Sequence, residues 1–271
     1  MIIRLFWWND SENYNGLYNY GDLMSKYLVE KISTKKVISS NHKYNRIITK
    51  FIKKYYLCIG SILSAASENS IVWGSGILNK NENVKRAKFC AVRGPETRKR
   101  LLELGCSVPE IYGDPALLLP LYLKNTVDKK YELAVIPHFV DYDIVNKILK
   151  EDNRIKVINL LTNDIERTTK EILECKQVIS SSLHGVIVGQ AYNIPALWVK
   201  FSNKLSGDNI KFYDYYKSVS INFLEEIEIS PMDLSFDLLF SILDKNRDVL
   251  LPQKAHIQNM QSKLLKACPF N

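Results

Sequence analysis

The sequence predicts an α/β protein with two Rossmann-like lobes followed by C-terminal helices. Three observations lead to this prediction. The chain opens on a buried strand, a loop and a helix, its second half alternates apolar runs with helical patterns, and a polar stretch lies between them. Strands that alternate with helices are typical of a doubly wound parallel sheet. We therefore predict lobes at residues 1–123 and 131–225, a linker at 124–130 and a helical extension at 226–271.

The individual elements follow from apolar runs, helical periodicity and turn residues. In the first lobe the patterns predict a helix at 22–32, a second helix at 95–104 and strands at 2–7, 55–59, 71–73, 89–92 and 111–112. In the second lobe they predict strands at 133–136, 156–160, 177–180 and 196–199, with helices at 142–150, 164–175 and 184–192. Two further helical segments are predicted at 233–243 and 257–265.

The composition is that of an ordinary globular protein with a positive net charge. The hydrophobic fraction of 46% argues against disorder, and the formal charge of +8 favours anionic partners. No basic block is longer than a few residues, and we interpret residues 50–54 as a solvated helix face. We therefore expect no nucleic-acid partner.

The cysteines and the apolar runs indicate the cellular compartment in which the protein is expected. Five cysteines are scattered without a C-x-x-C pair, which favours a reducing compartment over a zinc or thiol-exchange site. We find neither a secretory leader nor an apolar run of about 18 residues, the length a membrane helix needs. The expected location is the cytoplasm, and peripheral contact with the inner membrane face is left open.

The strongest local signal is the turn at residues 180–185, where a buried strand passes through three serines into a helix. The helix N-terminus offers unpaired N–H donors, Ser181 and Ser182 add hydroxyls, and Gly185 permits close approach of a ligand. His184 lies in the same turn, so we predict an anion pocket that holds a histidine. The alternative is that Ser182 only caps the helix and His184 is structural. Of the other histidines, His138 also follows a strand and is a second candidate, whereas His42 and His256 favour surface roles.

Two charged residues follow predicted strands of the first lobe. Arg93 precedes a helix, where its guanidinium could bind phosphate or carboxylate through two donors; the alternative is a pair with a surface acid. Asp114 lies before Pro115, which favours an extended or turn conformation, and the alternative is a simple turn. The Gly74-Ser75-Gly76 turn lacks the full G-x-G-x-x-G spacing, so dinucleotide binding is poorly supported.

Further candidates lie at the two ends of the predicted fold. Asn19 and Asp22 precede or begin the first helix, although Asp22 could serve only as its cap. Lys200 leaves the last strand of the second lobe. The segment 207–216 contains cations, acids and aromatic residues that suit a sugar surface; the alternative is an exposed amphipathic helix.

Taken in order, five motifs resemble the polysaccharide pyruvyl transferase family and are similar to its succinoglycan pyruvyl transferase branch. The motifs are Asn19-Tyr20-Gly21-Asp22, Trp73-Gly74-Ser75-Gly76, Arg93-Gly94-Pro95, Gly113-Asp114-Pro115 and Ser181-Ser182-Leu183-His184-Gly185. The resemblance covers about residues 9–217. It implies a GT-B-like fold in which two lobes face a cleft. It also implies phosphoenolpyruvate as donor, a cyclic pyruvate ketal on a sugar as product, and neither a cofactor nor a metal.

Carried over residue by residue, the resemblance implies that His184 is the catalytic acid and that Arg93 binds the donor. Many members have Arg-Leu-His where this chain has Ser182-Leu183-His184, so an expected arginine is missing. We expect the helix N-terminus and a lysine to supply the missing charge. The complete set of expected donor ligands is Arg93, Ser181, Ser182, Gly185, Lys200 and Lys211.

On the acceptor side, Asp22 or Asp114 is expected to position or deprotonate sugar hydroxyls. Asn19, Asp208 and Tyr215 are expected to contact the acceptor sugar, and whether that sugar is lipid-linked stays open. Two other functions remain as alternatives at this point. One is a GT-B glycosyltransferase that uses a nucleotide sugar, and the other is a carbohydrate-binding protein without catalysis.

Overall fold

A computed structural model describes residues 2–8, 11–40, 53–124, 126–223 and 225–270. It confirms the α/β class, with two parallel sheets and helices packed against them. His42 and residues 50–52 lie outside the described residues, so the interpretation of 50–54 as a helix face is not tested there. Lys53 and Lys54 are exposed, and a strand begins directly after them at Tyr55.

The first sheet has five parallel strands in the order β3-β1-β4-β5-β6. They are β1 Ile2–Phe6, β3 Lys36–Ser39, β4 Tyr55–Leu57, β5 Ser70–Trp73 and β6 Lys88–Ala91. Sequence patterns missed β3, a four-residue edge strand. The strand predicted at 111–112 is wrong, because only a single bridge joins Tyr112 to Val92.

The second sheet has four parallel strands in the order β11-β10-β7-β8. They are β7 Tyr131–Ile136, β8 Ile155–Val157, β10 Cys175–Ser180 and β11 Ala196–Trp198. A short antiparallel pair, β2 Tyr18–Asn19 and β9 Leu161–Thr162, joins the two halves of the chain. Each strand of this pair has only two residues, which is too short for an alternation pattern to predict.

The α-helices in the described residues are α1 Tyr20–Ser33, α2 Pro95–Glu103, α3 Leu119–Tyr122, α4 Tyr142–Leu149, α5 Ile165–Leu173, α6 Leu183–Ala191, α7 Ile210–Ser218, α8 Phe236–Lys245 and α9 Lys254–Lys266. Seven of them agree with predicted helices to within three residues, whereas α3 was not predicted and α7 was only an alternative for segment 207–216. The cap of α1 is Asn19 rather than Asp22, because the Asn19 side chain accepts the Gly21 N–H at 3.0 Å.

Helix α1 packs against both sheets, and its Val29 belongs to the apolar cluster of β1 and β3 in the first sheet. Tyr20, Met24 and Leu28 belong to the same apolar cluster as the strands of the second sheet and α6. The Tyr20 hydroxyl also lies 2.7 Å from the Thr169 hydroxyl on α5. Helix α1 therefore fixes the carboxyl edges of the two sheets relative to each other.

The chain returns to the first sheet after the second one is complete. Helix α7 packs against α2, and the Trp73 indole donates to the Leu264 carbonyl of α9 at 2.9 Å. Phe212 and Tyr216 of α7 are buried, so the alternative of an exposed amphipathic helix is wrong for this segment. The five cysteines are free. Within the described ranges, no helix is long and apolar enough to cross a membrane.

Candidate active site

The candidate site lies where the carboxyl edges of the two sheets meet. In open parallel sheets ligands bind at this edge, in the loops that follow the strands. The loop after β6 supplies Arg93, the loop after β7 supplies His138, and the turn after β10 leads to His184. The predicted site residues from distant parts of the sequence therefore lie on neighbouring loops.

His184 lies in the first turn of α6 and rests on the backbone of α1. A Cβ atom added to Gly21 would lie 1.9 Å from His184 Nδ1, so only glycine leaves room for the imidazole there. The His184 side chain is 12% exposed. Gly21 from the first motif thus determines the position of the histidine from the last one.

Asp114 faces the other side of the same imidazole. Its Oδ2 lies 3.6 Å from His184 Nε2, and the carboxylate is fully buried. This distance is longer than a hydrogen bond, and neither atom has a hydrogen-bond partner among the described residues. Asp114 Oδ1 accepts the Ala116 N–H at 2.9 Å, which fixes the carboxylate. The pair is therefore a buried histidine–carboxylate couple with one free atom on each partner.

Local sequence explains how Asp114 reaches this position. Its backbone is extended, with a ψ of 130°, as expected before a proline. A Cβ atom on Gly74, whose φ is +91°, would lie 2.3 Å from Cδ of Pro115, so the Gly74 turn admits the proline. The alternative that Asp114 only forms a turn is thus correct for its backbone. Its carboxylate, however, faces His184.

The three serines before α6 have different partners. The Ser180 hydroxyl donates to the Ile136 carbonyl at 2.8 Å and accepts the Ser182 N–H, and the Ser181 hydroxyl accepts the His138 N–H at 2.8 Å. Ser182 is the residue before the helix, but its hydroxyl makes no capping hydrogen bond. The alternative that Ser182 only caps the helix is therefore wrong.

Gly185 serves packing in this structure. A Cβ atom on Gly185 would lie 2.3 Å from the Ser180 hydroxyl and 3.2 Å from Ile136. The residue therefore lets α6 approach the strand and the turn. The predicted role in ligand approach is corrected, because the space beside Gly185 is already occupied.

His138 and Lys211 form a second group of polar atoms beside the turn. Burial lowers the pKa of the His138 imidazole to about 4, and the nearby Lys211 charge adds to this effect. His138 Nδ1 is buried without a hydrogen-bond partner among the described residues, and the ring packs 4.2 Å from Phe139. His138 is therefore a neutral imidazole with a free nitrogen.

Lys211 is half-buried near the start of α7. Burial lowers the pKa of its ammonium group to about 8, the positive charge of Arg93 adds to this, and the Asp22 carboxylate opposes it. The ammonium makes no hydrogen bond or ion pair within the described part of the chain, although it lies over the Phe212 ring. Asp22, in the first turn of α1, also lies 3.6 Å from the Cβ position of Gly60.

Arg93 is fully buried and holds a carboxylate that the sequence did not indicate. Its Nε lies 3.0 Å from Asp214 Oδ2, and its two terminal nitrogens donate to Ser61 and to the Ile77 carbonyl at 2.7 Å. Asp214 also accepts the N–H and the hydroxyl of Thr97. The predicted direct contact of Arg93 with the donor is corrected because its side chain has no exposed surface. The alternative, a pair of Arg93 with a surface acid, is right about the pairing and wrong about the location, since Asp214 is buried.

Two other predicted ligands have their polar atoms bound to neighbouring side chains. Lys200 is held by Glu226 at 3.0 Å and by Glu228 at 2.6 Å, so its charge is already neutralised. The fully buried Tyr215 donates to Gln190 at 2.8 Å, which makes the predicted acceptor contact wrong.

Asp208 is exposed and binds backbone N–H groups. It accepts from Lys80 at 2.8 Å and from Ile210 at 3.2 Å, so it fixes the loop before α7. Nothing in these contacts directs it toward the histidines. Its predicted contact with the acceptor stays a prediction.

Comparison with known proteins identifies the same part of the chain. A family model described as polysaccharide pyruvyl transferase matches residues 19–203. An uncharacterised protein of Acanthamoeba polyphaga mimivirus is 34% identical over 207 residues, which cover 73% of this chain and 69% of that protein. No solved structure matches the chain significantly. The matched span contains Asp22, Arg93, Asp114, His138 and His184, whereas Lys211 and Asp214 lie beyond it.

Proposed function

Because the chain belongs to the polysaccharide pyruvyl transferase family, we propose that it transfers the pyruvyl group of phosphoenolpyruvate to two hydroxyls of a sugar. The product is a cyclic pyruvate ketal in a polysaccharide or its precursor, and phosphate is released. The observation that supports this most is the His184–Asp114 couple, whose facing atoms have no hydrogen-bond partner in the described part of the chain. We place the reaction in the cytoplasm, without a cofactor.

The donor is an anion with a phosphate and a carboxylate, so its site must supply positive charge. The α6 N-terminus offers unpaired backbone donors and a partial positive charge beside the free Ser182 hydroxyl. Lys211 is the one lysine among the expected ligands whose ammonium makes no ion pair with the described residues. We assign it the role of the arginine that many relatives have at the position of Ser182.

His184 is the proposed acid. It protonates the donor methylene carbon, which becomes a methyl group, and the adjacent carbon becomes electrophilic. The Asp114 carboxylate, 3.6 Å from His184 Nε2, faces the imidazole and supplies the counter-charge to the imidazolium that donates the proton. Arg93 acts indirectly. Its ion pair with Asp214 joins α7 to the loop that follows β6 and so fixes both.

The acceptor provides two hydroxyls, each of which forms a bond to the same carbon. The first hydroxyl adds to the electrophilic carbon and loses its proton to a base, and the second displaces phosphate, which leaves with the proton of that hydroxyl. We assign the first proton to the free nitrogen of His138, which is neutral and therefore able to accept it. Asp22 and Asn19 are assigned to positioning of the sugar.

The arrangement that this mechanism requires is GT-B-like. We propose that residues 1–123 and 131–225 form the two lobes, with the donor and acceptor between their carboxyl edges. The contact of Gly21 with His184 and the electrostatic interaction of Asp22 with Lys211 support this arrangement.

Mass spectrometry tests the proposed reaction. Acceptor oligosaccharides incubated with phosphoenolpyruvate and the protein are expected to gain the mass of one pyruvyl ketal, with release of an equal amount of phosphate. Thermal denaturation is expected to show stabilisation by phosphoenolpyruvate and none by a nucleotide sugar, because only a ligand of the native state raises stability. Stabilisation by the nucleotide sugar, or no mass gain with any acceptor, would argue against the proposal.

Loss of the Lys211 charge is expected to weaken donor binding. Lys211→Met removes one charge-assisted hydrogen bond, so the Kd for phosphoenolpyruvate should rise about 10-fold to 100-fold. The ammonium binds the anion only while protonated. In the wild type, affinity should therefore be full below pH 8 and lost as the pH rises through the Lys211 pKa of about 8.

Calorimetric titration over this pH range measures both effects. Lys217→Met is the matched control, since Lys217 lies on the same helix but is exposed and paired with Glu96. Lys211→Arg should keep the affinity and shift its loss to higher pH. Equal affinities for the Lys211→Met variant and the wild type would remove Lys211 from the donor site.

A further inference from the structure

The starting edge of the first sheet carries a row of cations. Its five strands are parallel, so all of them begin at one edge, opposite the edge that forms the candidate site. Lysines or arginines begin or directly precede three of these strands. We call the following residues the basic edge: Lys36 at β3, Lys53 and Lys54 before β4, and Lys85, Arg86 and Lys88 at β6.

The charge of the basic edge is largely uncompensated. All six side chains belong to exposed residues, and none forms an ion pair with another described residue. Two carboxylates lie in the described loops that lead into these strands, Glu68 before β5 and Glu82 before β6, and Glu82 accepts the Leu78 N–H. Six cations against these two acids give a local net charge of +4, compared with +8 for the whole chain.

The shape of the basic edge favours a broad anionic surface as its partner. Neighbouring strands are about 4.8 Å apart, so five strands present a row roughly 20 Å long. Helix α2 begins near the candidate site and runs back along the sheet, and its Leu102 is 45% exposed. Cations spread over an edge, with an exposed apolar residue nearby, are suited to lipid headgroups.

We propose that the basic edge binds the surface of an anionic lipid membrane. Each lysine or arginine near such a surface contributes attraction, and no apolar insertion is required. The candidate site then faces away from the bilayer, toward the acceptor chain. This inference does not depend on the proposed reaction, because no residue of the basic edge belongs to the candidate site.

Vesicle co-sedimentation of the full chain tests the proposal. The protein should sediment with vesicles of phosphatidylcholine and phosphatidylserine, and not with phosphatidylcholine alone. Salt should release it, because the Debye length falls from about 10 Å at 0.1 M to about 3 Å at 1 M. The triple variant Lys85→Ala, Arg86→Ala and Lys88→Ala should lower the partition coefficient about 100-fold, since each cation contributes about fivefold.

A control with the same change in net charge separates location from total charge. Lys147→Ala, Lys170→Ala and Lys245→Ala remove three exposed lysines from helices around the second sheet, and none of them has an ion pair with a described residue. This variant should keep binding within a few-fold of the wild type. Equal losses in the two triple variants, or no binding of the wild type at low salt, would overturn the proposal. Tighter binding to a DNA duplex than to the vesicles, lost in the basic-edge variant, would also overturn it.

Stabilisation by phosphoenolpyruvate is measured on the same variants. The basic-edge variant should keep the thermal shift of the wild type, because its substitutions lie at the opposite edge of the sheet. The membrane-binding proposal and the donor-binding proposal can therefore fail independently of each other.

Discussion

Replacement of His184 by Asn is expected to lower turnover by about 10²-fold to 10⁴-fold, the range for loss of a general acid. The affinity for phosphoenolpyruvate should change little, because the backbone donors of α6 and Lys211 remain. Proton transfer to the donor methylene carbon is the step that the variant cannot perform. Phosphate release under saturating donor and acceptor measures turnover, and calorimetry measures donor affinity.

Two further variants make this prediction specific. Gly21→Ala should also lower turnover, because the new methyl group would occupy the position of the imidazole. His256→Asn should not, since the His256 imidazole on α9 contacts the Ser218 carbonyl oxygen at the end of α7 and has no contact with the candidate site among the described residues. An active His184→Asn variant would contradict the assignment of the acid, whatever the donor proves to be.

Asp114 adds a readout that a purely structural role would not change. Asp114→Asn keeps the volume and the hydrogen bond to Ala116 but removes the negative charge beside His184. The imidazolium that donates the proton then loses its facing counter-charge, so turnover should fall while the affinity for phosphoenolpyruvate changes little. Phosphate release measures turnover and calorimetry measures donor affinity, and a purely structural role would change both or neither.

Local sequence signals were sufficient for the residues whose position depends on nearby backbone. Pro115 predicts the extended backbone of Asp114, and the strand that passes directly into a helix predicts the position of His184. Both site residues could therefore be predicted. Seven of the nine described α-helices were also predictable, because their periodicity and caps are local; α3 and α7 were not predicted. The family resemblance then ordered these motifs, and the structure shows that Gly21, Asp114 and His184 are in contact.

Long-range pairing was the part that sequence patterns could not supply. Lys200 and Lys211 looked equivalent as cations, and only the pairing of Lys200 with Glu226 and Glu228 separates them. Tyr215 and Asp214 looked like members of one polar, aromatic segment. On a helix adjacent residues point in different directions, so Tyr215 enters the core beside Gln190 and Asp214 reaches Arg93.

The buried Arg93–Asp214 pair gives the largest expected effect on stability. Arg93→Met would leave Asp214 as an uncompensated buried charge, which costs about 3–5 kcal/mol in the free energy of unfolding. Asp214→Asn should be destabilising for the same reason, since the guanidinium would lose its counter-charge. Chemical denaturation of both variants and the wild type measures these losses through the midpoint and slope of unfolding.

The double variant distinguishes a structural pair from a donor ligand. Arg93→Met combined with Asp214→Leu removes both charges and should recover a large part of the stability, because an apolar pair can replace a buried ion pair. The coupling free energy from the four proteins should therefore be large. If Arg93→Met instead kept the stability of the wild type and lost only affinity for phosphoenolpyruvate, Arg93 would contact the donor directly. The site would then have to open by enough to expose a guanidinium that is now enclosed by Asp214, Ser61 and the Ile77 carbonyl.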